Sequence, residues 1–211
     1  MITPRQISLM KAAVFAMSLL PFARLVLFAF TERLGANPIE FITRNTGDWT
    51  LYFLCLTLCV TPLRRLTGAN WLIRLRRMLG LFAFFYAVLH FTTFLWFDHF
   101  FDVDEMLKDV VKRPFITVGF TAFVLLIPLA ATSTNGMVKR LGGKRWQWLH
   151  RTIYLIAPLG ILHFWWMKAG KNDFAQPILF GSIVALLLLL RVYWNVVQPW
   201  LQRRRSTPAP T

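Results

Sequence analysis

The chain has 211 residues, is 56% hydrophobic and 16% aromatic, and has a mean hydropathy of +0.52. Its apolar runs approach the roughly 20 residues needed to cross a hydrocarbon core, and the polar intervals between them are too short for a soluble domain of ordinary size. The net charge of +15 is distributed one-sidedly along the chain, which makes it a topology signal and leaves nucleic-acid binding with little support.

Apolar runs and their punctuation predict an all-α polytopic membrane protein, a single domain over residues 1–211. Six spans are expected at about 8–30, 48–63, 77–97, 114–132, 149–167 and 176–198. The first follows Arg5 and Lys11 as a secretory signal would, but Arg24 interrupts it and no small-x-small cleavage site follows, so it reads as a retained helix. Arg24 itself suits either snorkelling to headgroups or pairing with a propionate. The second and shortest span carries Cys55 and Cys59 on one face, four apart, a spacing for packing rather than bridging. The basic loop LRRLTGANWLIRLRR, ending in Arg76 and Arg77, leads into the third span, which contains His90.

After the third span comes FDHFFDVDEML, in which His99 is surrounded by Asp98, Asp102, Asp104 and Glu105 without a recognisable metal-ligand order. It reads as a solvated interfacial segment. Val103, Met106, Leu107, Val110 and Val111 recur at helical spacing and predict an amphipathic helix over about 101–112 on the outer face. The fifth span, LHRTIYLIAPLGILHFWWM, carries His150 and His163, with Trp146, Trp148, Trp165 and Trp166 as interface anchors at its ends. Arg191, near the inner end of the sixth, is expected to snorkel, and RRRSTPAPT reads as a basic stop and tail. Pro21, Pro128 and Pro158 fall inside spans as candidate kinks.

A cytoplasmic N terminus puts Arg64, Arg65, Arg74, Arg76, Arg77, Lys139, Arg140, Lys144 and Arg145 on the inner side and all nine acidic residues on the outer. Six spans with both termini cytoplasmic follow.

Intramembrane histidines are functional candidates, and imidazole is a usual axial ligand of haem iron. His90 and His163 share an outer depth, so a haem between the third and fifth spans would receive one from each side. His150, thirteen residues before His163, lies about 20 Å deeper and marks a second, inner level. On one straight helix those thirteen residues leave the two side chains about 140° apart, so spacing alone does not give a single cofactor-facing stripe. No histidine of the third span matches His150. Arg76 is at the right level but suits a propionate better than iron, and equally suits a positive-inside loop. There is no CxxCH, so any haem is non-covalent, with one or two per chain; clustered cysteines for an iron–sulfur centre and a dinucleotide fingerprint are also missing.

The stretches TPLRRL, RRMLGLFAFFYAVLHFTTF, KRPFITVGFTAF and LAATSTNGMVKRLGGKRWQWLHRTIYLIAPLGILHFWW resemble the MsrQ/YedZ family, haem-binding membrane subunits of the bacterial periplasmic protein-methionine-sulfoxide reductase system. More distantly they resemble the ferric reductase transmembrane domain. The resemblance implies a b-type haem protein of the inner membrane that passes electrons to a periplasmic molybdopterin-containing reductase acting on methionine sulfoxide. It also implies an association with FMN and a quinol or a cytoplasmic flavin reductase as donor. By motif match, His90, His150 and His163 are the haem-related histidines, with Arg76 at the inner level. No dehydrogenase segment is recognised, so the electrons come from another molecule. A transporter or proton channel, and a structural anchor for a periplasmic partner, are the alternatives from other classes.

Overall fold

The computed structural model describes residues 3–206, and the described residues form helices and turns without a strand. Helix α1, Pro4–Phe30, starts at a capping box in which the Thr3 hydroxyl oxygen accepts from the Gln6 amide at 3.3 Å and Gln6 Oε1 accepts from the Thr3 amide at 2.8 Å. Helix α2, Pro38–Thr67, is capped by Asn37, has Pro at its first position, and ends where Gly68 adopts φ +69°, a left-handed conformation that glycine accepts without strain. It begins ten residues before the expected start of the second span. Those extra turns, PIEFITRNTG, are polar enough to escape a hydropathy criterion while having a strong N-terminal cap.

A 3-10 turn at Asn70–Arg74 leads into α3, Arg76–Thr93, which continues through a π turn at Phe94–Asp98. Helix α4, Val103–Lys112, is the anticipated amphipathic helix, and α5 is Pro114–Ala131. Two short helices, α6 at Asn135–Leu141 and α7 at Gly143–His150, precede α8 at Ile153–Ala169. Helix α9, Ala175–Val192, runs through a π turn at Tyr193–Val197 into α10, Gln198–Ser206. Arg203 to Arg205 thus lie on a helix, and residues 207–211 of the expected tail lie outside the described residues.

Pro4–Phe30, Arg76–Asp98, Pro114–Ala131 and Ala175–Arg204 are each long and apolar enough to cross a membrane. Helix α8 is a residue shorter, at 17, and α2 is more polar. The multi-pass character rests on these apolar helices. The expected fifth span is divided: the chain turns at Arg151–Thr152, so His150 closes α7 while His163 belongs to α8. The calculation of about 140° on one straight helix therefore does not apply to this pair.

Helix α2 packs mainly on α3, and α5 on α8. At the first contact, Phe53 and Tyr86 stack at 5.4 Å with their planes 9° apart, and Phe53 also stacks on Phe82. In a bilayer such contacts stabilise by close packing rather than by escape from water. Tyr86 also joins α1 to the core. Its hydroxyl donates to the Ser18 carbonyl at 2.7 Å and accepts from the Phe22 amide at 3.2 Å. Those two groups are i−4 partners next to Pro21, so the hydroxyl is inserted into the helix ladder at the proline and satisfies both.

Candidate functional site

His90 on α3 and His163 on α8 approach to 6.1 Å between ring centroids, with planes inclined at 71°. The same local device holds each ring. His90 Nδ1 lies 2.9 Å from the Thr43 carbonyl oxygen of α2, and His163 Nδ1 lies 2.7 Å from the Phe115 carbonyl oxygen of α5. Thr43 stands four residues before Gly47, and Phe115 four before Gly119. A helical side chain covers the turn N-terminal to its own Cα, so in each case the residue that would overlie the carbonyl has no side chain. A Cβ at Gly47 would meet His90 Cε1 at 3.1 Å, and one at Gly119 would meet His163 Nδ1 at 2.7 Å. The imidazoles occupy the space the two glycines leave.

A carbonyl oxygen can only accept, so each Nδ1 carries the hydrogen and each Nε2 keeps its lone pair. This is the tautomer of a metal-ligating histidine fixed from behind by a backbone partner. The fit to a haem can be tested by distance. Two nitrogen–metal bonds of about 2 Å, with about 1.1 Å from each nitrogen to its ring centre, separate the centroids by about 6 Å. The observed 6.1 Å meets that requirement. Both rings line a cavity of about 350 Å³ that includes Leu51, Phe91, Phe123 and Ile156, the cations Arg44, Arg113 and Lys168, and the acids Asp48 and Asp98. A flat, largely apolar molecule bearing carboxylates matches such a lining.

His150 is placed differently. Its Nε2 is 3.0 Å from Thr132 Oγ1, and its ring stacks on Trp146 at 3.9 Å. The Thr132 hydroxyl donates to the Pro128 carbonyl at 2.6 Å, so it accepts from His150, whose Nε2 therefore bears the hydrogen. The Trp146 indole N–H donates to the Thr132 carbonyl at 2.9 Å and fixes the stack. His150 thus does not present a free Nε2 as the other two histidines do. It lines a second cavity, of about 510 Å³, together with Arg76, Arg77, Arg151, Tyr154 and Arg191. Arg76 Nη1 is 3.5 Å from Thr61 Oγ1, and Arg77 donates to Asn135 Oδ1 at 2.6 Å. Leu126 lines both cavities.

Several residues depart from expectation. Arg191 does not snorkel: it is 7% exposed and donates through Nη2 to the Leu58 carbonyl at 2.7 Å. His99 is buried rather than solvated, with Nε2 3.3 Å from Asp109 Oδ2 and its ring against Phe94, while Arg113 binds the other Asp109 oxygen at 2.7 Å. Among the described residues no group of three or more His, Cys, Asp and Glu is placed to hold a metal ion, His99 and its acidic neighbours included. Helix α4 buries Met106 and Val110 and exposes Val103, Leu107 and Val111. Arg24 is exposed beside the Phe28 ring and lines neither cavity. Trp146, expected as an interface anchor, is a cavity wall. Sequence reasoning missed Gly47, Gly119, Thr132 and the two carbonyls. The only signal available was the glycine one turn after each carbonyl, which is legible only once the histidine opposite is known.

Comparison with known proteins follows the same lines. The family described as ferric reductase like transmembrane component matches residues 46–161, a stretch that holds His90 and His150 and ends two residues before His163. The protein-methionine-sulfoxide reductase heme-binding subunit MsrQ of Herminiimonas arsenicoxydans is 76% identical over 204 residues, covering 97% of this chain and 92% of its own length. Its namesake from Ralstonia nicotianae is 61% identical over 92% of this chain and 89% of its own, and that from Bordetella pertussis 55% identical over 96% of each.

Proposed function

We propose, for a chain that belongs to the MsrQ family of ferric reductase-like transmembrane proteins, that His90 and His163 hold the iron of one non-covalent b-type haem from its two faces. The chain is a multi-pass inner-membrane protein with a haem electron-transfer role. Bound there, the haem supplies one-electron chemistry. The residues supply the rest. The Thr43 and Phe115 carbonyls orient the imidazoles and make them better donors, and the glycines below them allow the close approach. The aromatic and aliphatic wall excludes water, and Arg44, Arg113 and Lys168, held by Glu40, Asp109 and Asp173, line the same cavity within reach of carboxylates on a bound group.

The positive-inside rule places the arginine-rich end in the cytoplasm, so the His90–His163 level faces the periplasm. There the chain delivers electrons to a periplasmic molybdopterin-containing reductase of methionine sulfoxide. At the opposite end, the cavity lined by His150 and Arg76 receives the donor side, from quinol or from a cytoplasmic flavin reductase, with a second haem or FMN as the group it holds.

The observation that carries the reading is the duplicated histidine–carbonyl–glycine arrangement, which leaves each Nε2 uncommitted and brings the two ring centres to 6.1 Å. The test is the reduced-minus-oxidised spectrum and pyridine haemochrome content of the full chain and of His90→Ala and His163→Ala. Each substitution is expected to remove the b-type haem of that level and electron delivery with it. Full haem content together with full electron delivery in either variant would overturn the assignment.

A further inference from the structure

The second cavity has a feature its histidine does not explain. Arg191 is buried on α9, lines the cavity, and has Nη1 without a hydrogen-bond partner among the described residues. Part of its placement is structural. Pro62 of α2 has no N–H, so the carbonyl of Leu58 four residues earlier loses its helix partner, and Arg191 Nη2 replaces that donor at 2.7 Å. That bond and the contact with the Tyr154 side chain leave Nη1 unpartnered and offset none of the charge.

Among the described residues no aspartate or glutamate lines the cavity, and the half-buried Arg76 and the exposed Arg77 and Arg151 add three further cations to its wall. Arg191 also lies over the Tyr154 ring at 5.2 Å, and Trp146 and Phe84 give the cavity flat aromatic walls. A buried cation among other cations is costly unless an anion completes it.

We propose that Arg191 is the anchor for an oxyanion, a carboxylate or a phosphate, carried by a planar aromatic ligand of this cavity, with Arg76 as the second cation in reach of the same ligand. The proposal rests on the reading that this end receives the donor side, but not on the assignment of His90 and His163. A propionate of a second haem and the phosphate of a flavin mononucleotide are the two sources of that chemistry.

The experiment uses the full chain with its outer haem in phosphatidylcholine nanodiscs. Flavin mononucleotide is compared with riboflavin, which has no phosphate, and haem with haem dimethyl ester, which has no free carboxylate. In the wild type, one of the two charged ligands is expected to bind at least about tenfold more tightly than its neutral counterpart, the scale of one charge-assisted hydrogen bond. The pair showing the preference identifies the source.

Arg191→Met is expected to abolish that preference and Arg191→Lys to keep part of it. Because Arg191→Met also deprives the Leu58 carbonyl, the decisive variant is Pro62→Ala/Arg191→Met, in which the helix regains its own N–H at position 62. A purely structural arginine predicts rescue of the preference in this double variant, and rescue would overturn the proposal, as would a wild type indifferent to charge in both pairs. Loss of the preference with the outer haem spectrum unchanged supports it. Loss of the outer haem in His90→Ala or His163→Ala, by contrast, bears only on the outer assignment.

Discussion

Gly119→Ala is the most economical perturbation of the outer level, because it adds one methyl group and removes no ligand. The new Cβ would stand 2.7 Å from His163 Nδ1, 2.8 Å from Cε1 and 3.0 Å from Cγ, against the 3.4 Å at which ordinary contact begins. The ring must retreat by about 0.7 Å, and it cannot do so freely, since Nδ1 is hydrogen-bonded to Phe115 of the same helix at 2.7 Å. Overpacking of this kind costs about 1–3 kcal/mol, and loss of the carbonyl bond adds about 1 kcal/mol. Because every 1.4 kcal/mol is tenfold, haem affinity should fall by about 30- to 700-fold.

Gly47→Ala gives a built-in comparison. Its Cβ would approach His90 Cε1 at 3.1 Å, so the ring needs to give by only about 0.3 Å, and the loss should be about tenfold or less. Alanine is the better helix former by about 1 kcal/mol, so neither substitution should weaken the helix itself. The assay is haem titration of the haem-depleted full chain, followed at the Soret band, with thermal unfolding alongside. Wild-type affinity in Gly119→Ala, or a larger loss in Gly47→Ala, would refute the claim that the glycines make room for the ligands.

Other consequences are separable. Lys171 donates to Glu40 at 3.0 Å and Arg44 pairs with the same carboxylate, so the hydrogen bond to Lys171, and then the Arg44 charge, pull the Glu40 pKa below its ordinary 4.5. A depressed carboxylate pKa stabilises the fold above pH 4.5 and loses that contribution as pH falls through the folded value, so the unfolding midpoints of wild type and Glu40→Gln should converge on acidification; a constant gap would contradict this. Tyr86→Phe leaves the Ser18 carbonyl and the Phe22 amide without their shared partner and should destabilise the fold by about 1–3 kcal/mol in denaturant unfolding, whereas an unchanged midpoint would show that the helix closes over the loss. His99→Leu removes one neighbour of the half-buried Asp109 and should raise hydrogen exchange across Val103–Lys112; unchanged protection there would mean that Arg113 and the burial of Met106 and Val110 suffice.

Much of this was legible in the sequence, and the misses have physical reasons. The apolar runs fix the existence of the helices, and the shared depth of His90 and His163 anticipates their approach, because rise per residue converts position into depth. Rotation about the helix axis and the neighbour across it are not encoded in depth. That is why the Thr43 and Phe115 carbonyls went unseen, and why His150, a plausible equal of the other two by type and level, stands with its Nε2 committed to Thr132. Arg191 was misjudged for a related reason. An arginine near a helix end can reach headgroups, but a proline one helix away supplies a bare carbonyl that holds it inside, and that pairing between α2 and α9 cannot be seen from either segment alone.

The two cavities solve opposite electrostatic problems. His90 and His163 are held by neutral carbonyls, and the cations that line their cavity, Arg44, Arg113 and Lys168, are each paired with a carboxylate, Glu40, Asp109 and Asp173. The other cavity is lined by Arg76, Arg77, Arg151 and Arg191 with no carboxylate among the described residues, and positive charge of this kind, the buried Arg191 above all, favours the reduced form of any centre placed there. An oxyanion on Arg191 would cancel part of that bias. The substitution that loosens the ligand should therefore also change the potential of whatever redox group the cavity holds.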